Sequence, residues 1–94
     1  MNIVSFKHKG LKKLYENDDP SGLPNQHVVK IKNILAALEF AGDLSQVASV
    51  PGWKLHPLKG DRKGEYAITV TGNMRITFYL KGNNIHLINF EDYH

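Results

Sequence analysis

No cysteine occurs among the 94 residues, so no disulfide can hold the fold and reducing conditions cost it nothing. Long apolar runs are missing as well. Nothing approaches the roughly 20 residues a membrane-spanning helix needs, and the opening Met1-Asn2-Ile3-Val4 lacks the layout of a secretory signal. The glycines form no phosphate-cradling loop, and there is no Gly-x-Ser-x-Gly or Walker pattern. Together these absences make a cytosolic protein with no membrane partner the simplest expectation. What is present is ordinary for a globular chain: 41% apolar residues, and a length that allows one modest hydrophobic core, hence one domain over residues 1–94.

Twelve Lys/Arg against nine Asp/Glu leave a net charge of +3, which matters only if it is clustered. It is. Lys7, His8, Lys9, Lys12 and Lys13 lie near the start, and Lys54, His56, Lys59, Arg62 and Lys63 fall within ten residues interrupted only by Asp61. A basic face for a polyanion is one reading, and a merely solvated surface is the other.

The hydrophobic pattern divides the chain into two halves. Ile3-Val4-Ser5-Phe6 reads as a first strand, and Leu11, Leu14 and Tyr15 at i, i+3 and i+4 read as a helix that ends in the breaker cluster at 17–22. Pro24 suits the first turn of a longer helix over 24–40, with Val28, Ile31, Ile34, Leu35 and Leu38 as its stripe and Gly42 as its stop. Residues 44–51 read as an irregular connector pinned by Leu44, Val47 and Val50. From Trp53 the period becomes two: a short Trp53-Lys54-Leu55 strand, a loop through Pro57 and Gly60, then Tyr66, Ile68 and Val70 alternating with Ala67 and Thr69. After the Thr71-Gly72-Asn73 turn, Met74, Ile76 and Phe78 alternate with Arg75, Thr77 and Tyr79. In a last strand Ile85, Leu87 and Asn89 alternate with His86, Ile88 and Phe90. The expected fold is α+β: a small, mostly antiparallel sheet with two N-terminal helices packed on one face, in the order β-α-α-β-β-β. Its other face is left to Arg75, Thr77 and Tyr79.

Three groups of residues can carry chemistry. The 55–62 loop places His56, Lys59 and Arg62 together, although a basic surface loop is the plainer reading. Arg75 sits mid-strand, where either a cross-strand pair with Glu65 or Glu91, or phosphate, gives it a reason; a planar guanidinium matches phosphate oxygens and stays charged. Asp92, Tyr93 and His94 put a carboxylate, a phenol and an imidazole in succession after a strand. Tyr93 can pack, stack on a base or hydrogen-bond a phosphate. His8, His27 and His86 read as structural or surface histidines. A metal held by His56, Asp92 and His94 is disfavoured by spacing, since no His-x-x-x-His pair or second carboxylate cluster accompanies them. No metal or cofactor is expected.

Ser5-Phe6-Lys7-His8-Lys9-Gly10-Leu11, Leu55-His56-Pro57-Leu58-Lys59-Gly60-Asp61-Arg62, Met74-Arg75-Ile76-Thr77-Phe78 and Glu91-Asp92-Tyr93-His94 together resemble the HigB toxins, the plasmid-maintenance killer branch of the RelE/ParE superfamily. The resemblance spans nearly the whole chain. It departs at Met74, where relatives often carry tryptophan; alternation puts Met74 opposite Arg75, as a core substitution. The resemblance implies a RelE-like fold in a bacterial cytoplasmic toxin of a type II toxin–antitoxin system. Such a toxin enters the ribosomal A site, cuts messenger RNA and inhibits translation. Its implied partners are the 70S ribosome and mRNA, and a helix-turn-helix antitoxin of the HigA type, with operator DNA met only through the antitoxin complex.

The chemistry fits that implication. RNA cleavage by its own 2′-hydroxyl needs a base, an acid on the departing 5′-oxygen, and positive donors for the pentavalent phosphorane, with no metal required. His56 and His94 serve as the acid–base pair with Asp92 orienting one of them, or Asp92 is itself the base; Lys59 and Arg75 supply fixed charge and Tyr93 positions the nucleotide. Lys7, Lys9, Lys12, Lys13, Lys54, Arg62 and Lys63 become RNA or ribosome contacts. Two other classes compete: a ParE-like non-enzymatic inhibitor of DNA gyrase, and a plain nucleic-acid-binding module. Neither has a use for His56, Asp92, Tyr93 and His94 together.

Overall fold

The computed structural model describes residues 1–92. Helix α1 (Lys9–Asn17) starts where His8 caps it: the His8 Nδ1 accepts from the backbone N–H groups of Gly10 (3.0 Å) and Leu11 (3.2 Å), taking the place of the usual hydroxyl or carboxylate. It ends at Asp18 in a left-handed conformation (φ 53°). Leu11 and Leu14 are buried, whereas Tyr15 lies at the edge of the stripe, packing on Phe6 at 5.4 Å and donating its hydroxyl to Glu39. Gly10 and Gly22 touch backbone to backbone, and a Cβ on Gly10 would fall 2.5 Å from the Gly22 carbonyl oxygen. The turn after α1 thus folds back onto the helix start only because neither residue has a side chain.

The expected 24–40 helix is a 3-10 turn, Asn25–His27, running into α2 (Val28–Phe40), which buries Ile31, Ile34, Leu35 and Leu38. The 44–51 connector contains a regular element after all. Helix α3 (Leu44–Ala48) is nucleated by Asp43, whose carboxylate accepts from Ser45 N–H at 3.0 Å, and it buries Val47.

The sheet has five strands in the spatial order β1-β5-β4-β3-β2: β1 (Asn2–Ile3), β2 (His56–Pro57), β3 (Glu65–Thr69), β4 (Met74–Lys81) and β5 (Asn84–Asp92). Among the described residues only β1 runs parallel to its neighbour; β2 to β5 pair antiparallel. The first strand is shorter than the sequence suggested, with Phe6 adding a lone bridge to Ile88. The second is displaced from Trp53-Lys54-Leu55 to His56–Pro57, because Lys54 turns left-handed (φ 50°) and breaks the extended run. One face of the sheet packs Ile68, Val70, Ile76, Phe78, Ile85, Ile88 and Phe90 into a single cluster with the helices.

The last strand breaks the expected alternation. Leu87 adopts φ 54° at a bulge between the Thr77↔Asn89 and Tyr79↔His86 pairs, with its N–H held by the Ser5 hydroxyl at 2.9 Å. Ile85 and Ile88, three residues apart, therefore both enter the core while Leu87 stays exposed. Beyond the bulge Asn89 and Glu91 point to the open face.

Candidate active site

Register assembles the open face in rows. Thr69, Arg75 and Glu91 form one; Ala67, Thr77 and Asn89 form the next, with His56 added by its pairing to Ala67. Residues directly opposite in adjacent strands project to the same side, so His56 and Arg75 share this face, one row apart. His56 is exposed on the outermost strand, and its Nδ1 lies 2.8 Å from the Lys54 carbonyl oxygen. A carbonyl can only accept, so Nδ1 carries the proton and a neutral ring keeps its Nε2 lone pair for chemistry.

Arg75 is mostly enclosed, its side chain 15% exposed, and its Nη2 stands 3.8 Å from Glu91 Oε2. Of the two carboxylates that could explain a mid-strand arginine, Glu91 is the nearer partner. The separation is within ion-pair range but beyond a hydrogen bond.

The open face is not bare, as the two-layer picture had suggested. A 3-10 turn at Gly60–Arg62 carries Arg62 over it, and the guanidinium grips two carboxylates. Nε donates to Glu65 Oε2 at 2.7 Å and Nη2 to Glu65 Oε1 at 2.9 Å; Nη1 donates to Glu91 Oε2 at 2.9 Å and Nη2 also to Glu91 Oε1. Beneath them Thr77, fully buried, donates its hydroxyl to Glu91 Oε1 at 3.0 Å. The hydrogen bonds from Arg62 hold both carboxyls below the ordinary glutamate range, and the two carboxylates push the guanidinium pKa up in turn. A depressed folded-state pKa means stability that is present above the unfolded value and lost as pH falls through the folded one. Acid should therefore loosen this face before neutral pH has any effect, an expectation that thermal midpoints of the parent and Glu65→Gln between neutral and acidic pH would check: the difference between them should shrink as pH falls.

Lys59, exposed, precedes the same turn, and its carbonyl accepts from Arg62 N–H at 3.3 Å. Lys54 and Lys63 are exposed nearby. Lys7 lines a pocket of about 400 Å³ on the open face with Arg62, Glu65, Tyr79, Leu87, Asn89 and Glu91. Lys9, Lys12 and Lys13 lie apart from it, on the outer side of α1. Asp92 closes β5 opposite Met74, and strand parity gives it the helix-covered side of the sheet, one residue beyond Glu91 and away from the Arg75 face. Phe90, on that same side, is flanked by the rings of His8 (5.9 Å) and His27 (6.5 Å); burial lowers the His8 pKa, which suits its role as a hydrogen-bond acceptor. Tyr93 and His94 lie outside the described residues. No group of three metal-ligating side chains occurs among the described residues.

The sequence pattern offered Glu65 and Glu91 only as neighbours for Arg75, and Arg62 as a member of the basic 55–62 loop and an RNA contact. The signal for their cluster was present in the parity: two acids on the strands flanking Arg75, both on its side.

The chain matches known proteins over nearly its whole length. The family described as the RelE-like toxin of the type II toxin–antitoxin system HigB matches residues 4–94. A curated relative, Endoribonuclease HigB of Proteus vulgaris, is 47% identical over 92 residues, covering 98% of this chain and 99% of the relative. Among solved structures, the YoeB/ParE toxin from Agrobacterium tumefaciens superposes with a TM-score of 0.63 at 17% identity, covering all of both chains. The YoeB–YefM complex from Staphylococcus aureus gives 0.62 at 21% identity, covering 100% of this chain and 97% of the other. At those identities the structures speak for the fold alone, a RelE-type α+β sheet. The family match over nearly the full length carries the rest: the chain belongs to the HigB-like toxins of type II toxin–antitoxin systems.

Proposed function

We propose that this toxin cuts messenger RNA in the A site of a translating ribosome, by in-line attack of the RNA's own 2′-hydroxyl. That it is an endoribonuclease toxin of the HigB kind rests on the family and on its 47% identical relative. The site of action and the roles of its residues are the proposal. The observation that carries it is His56 on the same sheet face as Arg75, with Nδ1 held by a carbonyl and Nε2 left to exchange a proton.

His56 and His94 form the acid–base pair and Asp92, exposed at the end of β5 on the side opposite His56, orients the adjacent His94 or His56 from the strand's edge, with Asp92 as base the other assignment. Arg75 and Lys59 stabilise the phosphorane, and Tyr93 positions the nucleotide. Lys7, Lys9, Lys12, Lys13, Lys54 and Lys63 meet RNA phosphates, whereas Arg62, expected from the sequence to join them, has its guanidinium engaged by Glu65 and Glu91. A base, an acid and fixed cations suffice for this step. The chain works as one domain in the bacterial cytoplasm. Membership of a toxin–antitoxin family brings an antitoxin partner, here a helix-turn-helix protein of the HigA type that alone carries the complex to operator DNA. A small site with modest charge depends on the ribosome to bend the message into line.

Primer extension on message incubated with programmed ribosomes and purified protein tests this. Cuts inside the A-site codon are expected, with the same message left whole when ribosomes are omitted. Intact message in both reactions would overturn the reading and make gyrase the next target to assay.

A further inference from the structure

The Arg62 cluster is more elaborate than stability requires. Ion pairs within reach of solvent add little stability, yet here one guanidinium, 36% exposed, makes four hydrogen bonds to two carboxylates on different strands. Those strands, β3 and β5, flank β4, so the clamp reaches across the strand that bears Arg75. What it fixes is a loop. Residues 58–63 are tied to the sheet through the backbone by the Leu58 N–H to the Glu65 carbonyl, at 2.8 Å, and Gly60 takes φ 65° with open space around it. Lys59 rides on this loop, and the Arg62 N–H is bonded to its carbonyl. Glu91 meanwhile lies between two arginines, bonded to Arg62 and 3.8 Å from Arg75, with Thr77 beneath. One carboxylate thereby offsets the repulsion between two cations that must stand close together.

We propose that Glu91 and Glu65 are positioning residues: by gripping Arg62 they hold the 58–63 loop, and Lys59 with it, at a fixed place at the Glu65 end of the open face. The clamp rests on the cleavage reading above and extends it to groups that touch no RNA. It assigns Arg62 a structural duty in place of a phosphate contact, and it explains why the arginine of this loop needs a fork. A lysine would keep the charge but could not span both carboxylates.

Two measurements on the full chain test it. Single-turnover cleavage on saturating programmed ribosomes should slow by about 10²-fold in Arg62→Lys and Glu91→Gln, as expected when a reacting group is misplaced by an ångström or so. The ribosome concentration giving half the maximal rate should stay at the parent value. Hydrogen exchange should quicken at 58–63 in both variants, with Ile76 and Phe78 as protected as in the parent, which shows that the core is intact. Glu65→Gln provides the second variant if Glu91→Gln does not fold. A parent-like rate in Arg62→Lys, a rise in half-saturation alone, or unaltered loop exchange would each overturn the clamp. An inactive parent would overturn the cleavage reading, and the clamp with it; an active parent with an equally active Arg62→Lys would overturn only the clamp.

Discussion

Arg75→Ala should leave a folded protein that cuts ribosome-bound message roughly 10² to 10³-fold more slowly than the parent, the effect of removing one preorganised donor from a developing negative charge. The fold should survive because Glu91 keeps Arg62 and Thr77 after Arg75 is gone, so no carboxylate is left buried without donors. The ion pair to Glu91 is long at 3.8 Å, beyond a hydrogen bond, so Glu91 depends on it least among its donors. A large loss of rate with a small change in thermal midpoint is therefore the expected signature. Arg75→Lys should recover part of the rate, since it restores the charge without the planar fork. Single-turnover rates and melting curves on the three proteins decide the matter. A variant that melts many degrees lower, or an Arg75→Ala that cuts like the parent, would return Arg75 to a purely structural role.

The strand carrying that arginine was legible in the sequence because its period is unambiguous. Met74, Ile76 and Phe78 turn to the helices and Arg75, Thr77 and Tyr79 turn away, as two-residue alternation requires. The next strand was harder. Ile85-His86-Leu87-Ile88 offers an apolar residue to either face, and the choice is made by a Ser5 hydroxyl 82 positions earlier, which holds Leu87 in the bulge. No local pattern carries that information. The short helix at Leu44–Ala48 had a local signal, Asp43 as its cap, but five residues are too few to show a period. Lys54 was unreadable for a different reason: a lysine gives no hint that its backbone will turn left-handed.

The candidate site divides in the same way. His56, Lys59, Arg75 and Asp92 could be named from residue type and family resemblance. Their distribution over faces could not, because it depends on register: Asp92 follows the parity of Phe90, and His56 joins the open face only through its pairing with Ala67. Thr77 shows the gap most plainly. On the pattern alone it belongs to an open surface, yet it is wholly buried because a loop fifteen residues earlier lays Arg62 across its strand.

The acid and base can be separated by the dependence of the single-turnover rate on pH. His56→Ala should lower the maximal rate by roughly 10² to 10⁴, the usual worth of a positioned proton-transfer group, and His94→Ala should do the same. The two losses should not multiply in the double variant, because an acid and a base that act in one step fail together. The shape of the profile carries the assignment. A base must be deprotonated to work, so removing it erases the limb on which rate climbs with pH; removing the acid erases the limb on which rate falls. The Lys54 carbonyl at Nδ1 leaves Nε2 of His56 as the atom that exchanges the proton, and that atom can take one from the 2′-hydroxyl or give one to the departing 5′-oxygen. With His56 as the base, His56→Ala should erase the rising limb and His94→Ala the falling one; with His56 as the acid, the two limbs exchange. If both limbs survive in His56→Ala and the rising one vanishes in Asp92→Asn, the carboxylate is the base. If His56→Ala matches the parent in height and shape, His56 has no part in the reaction.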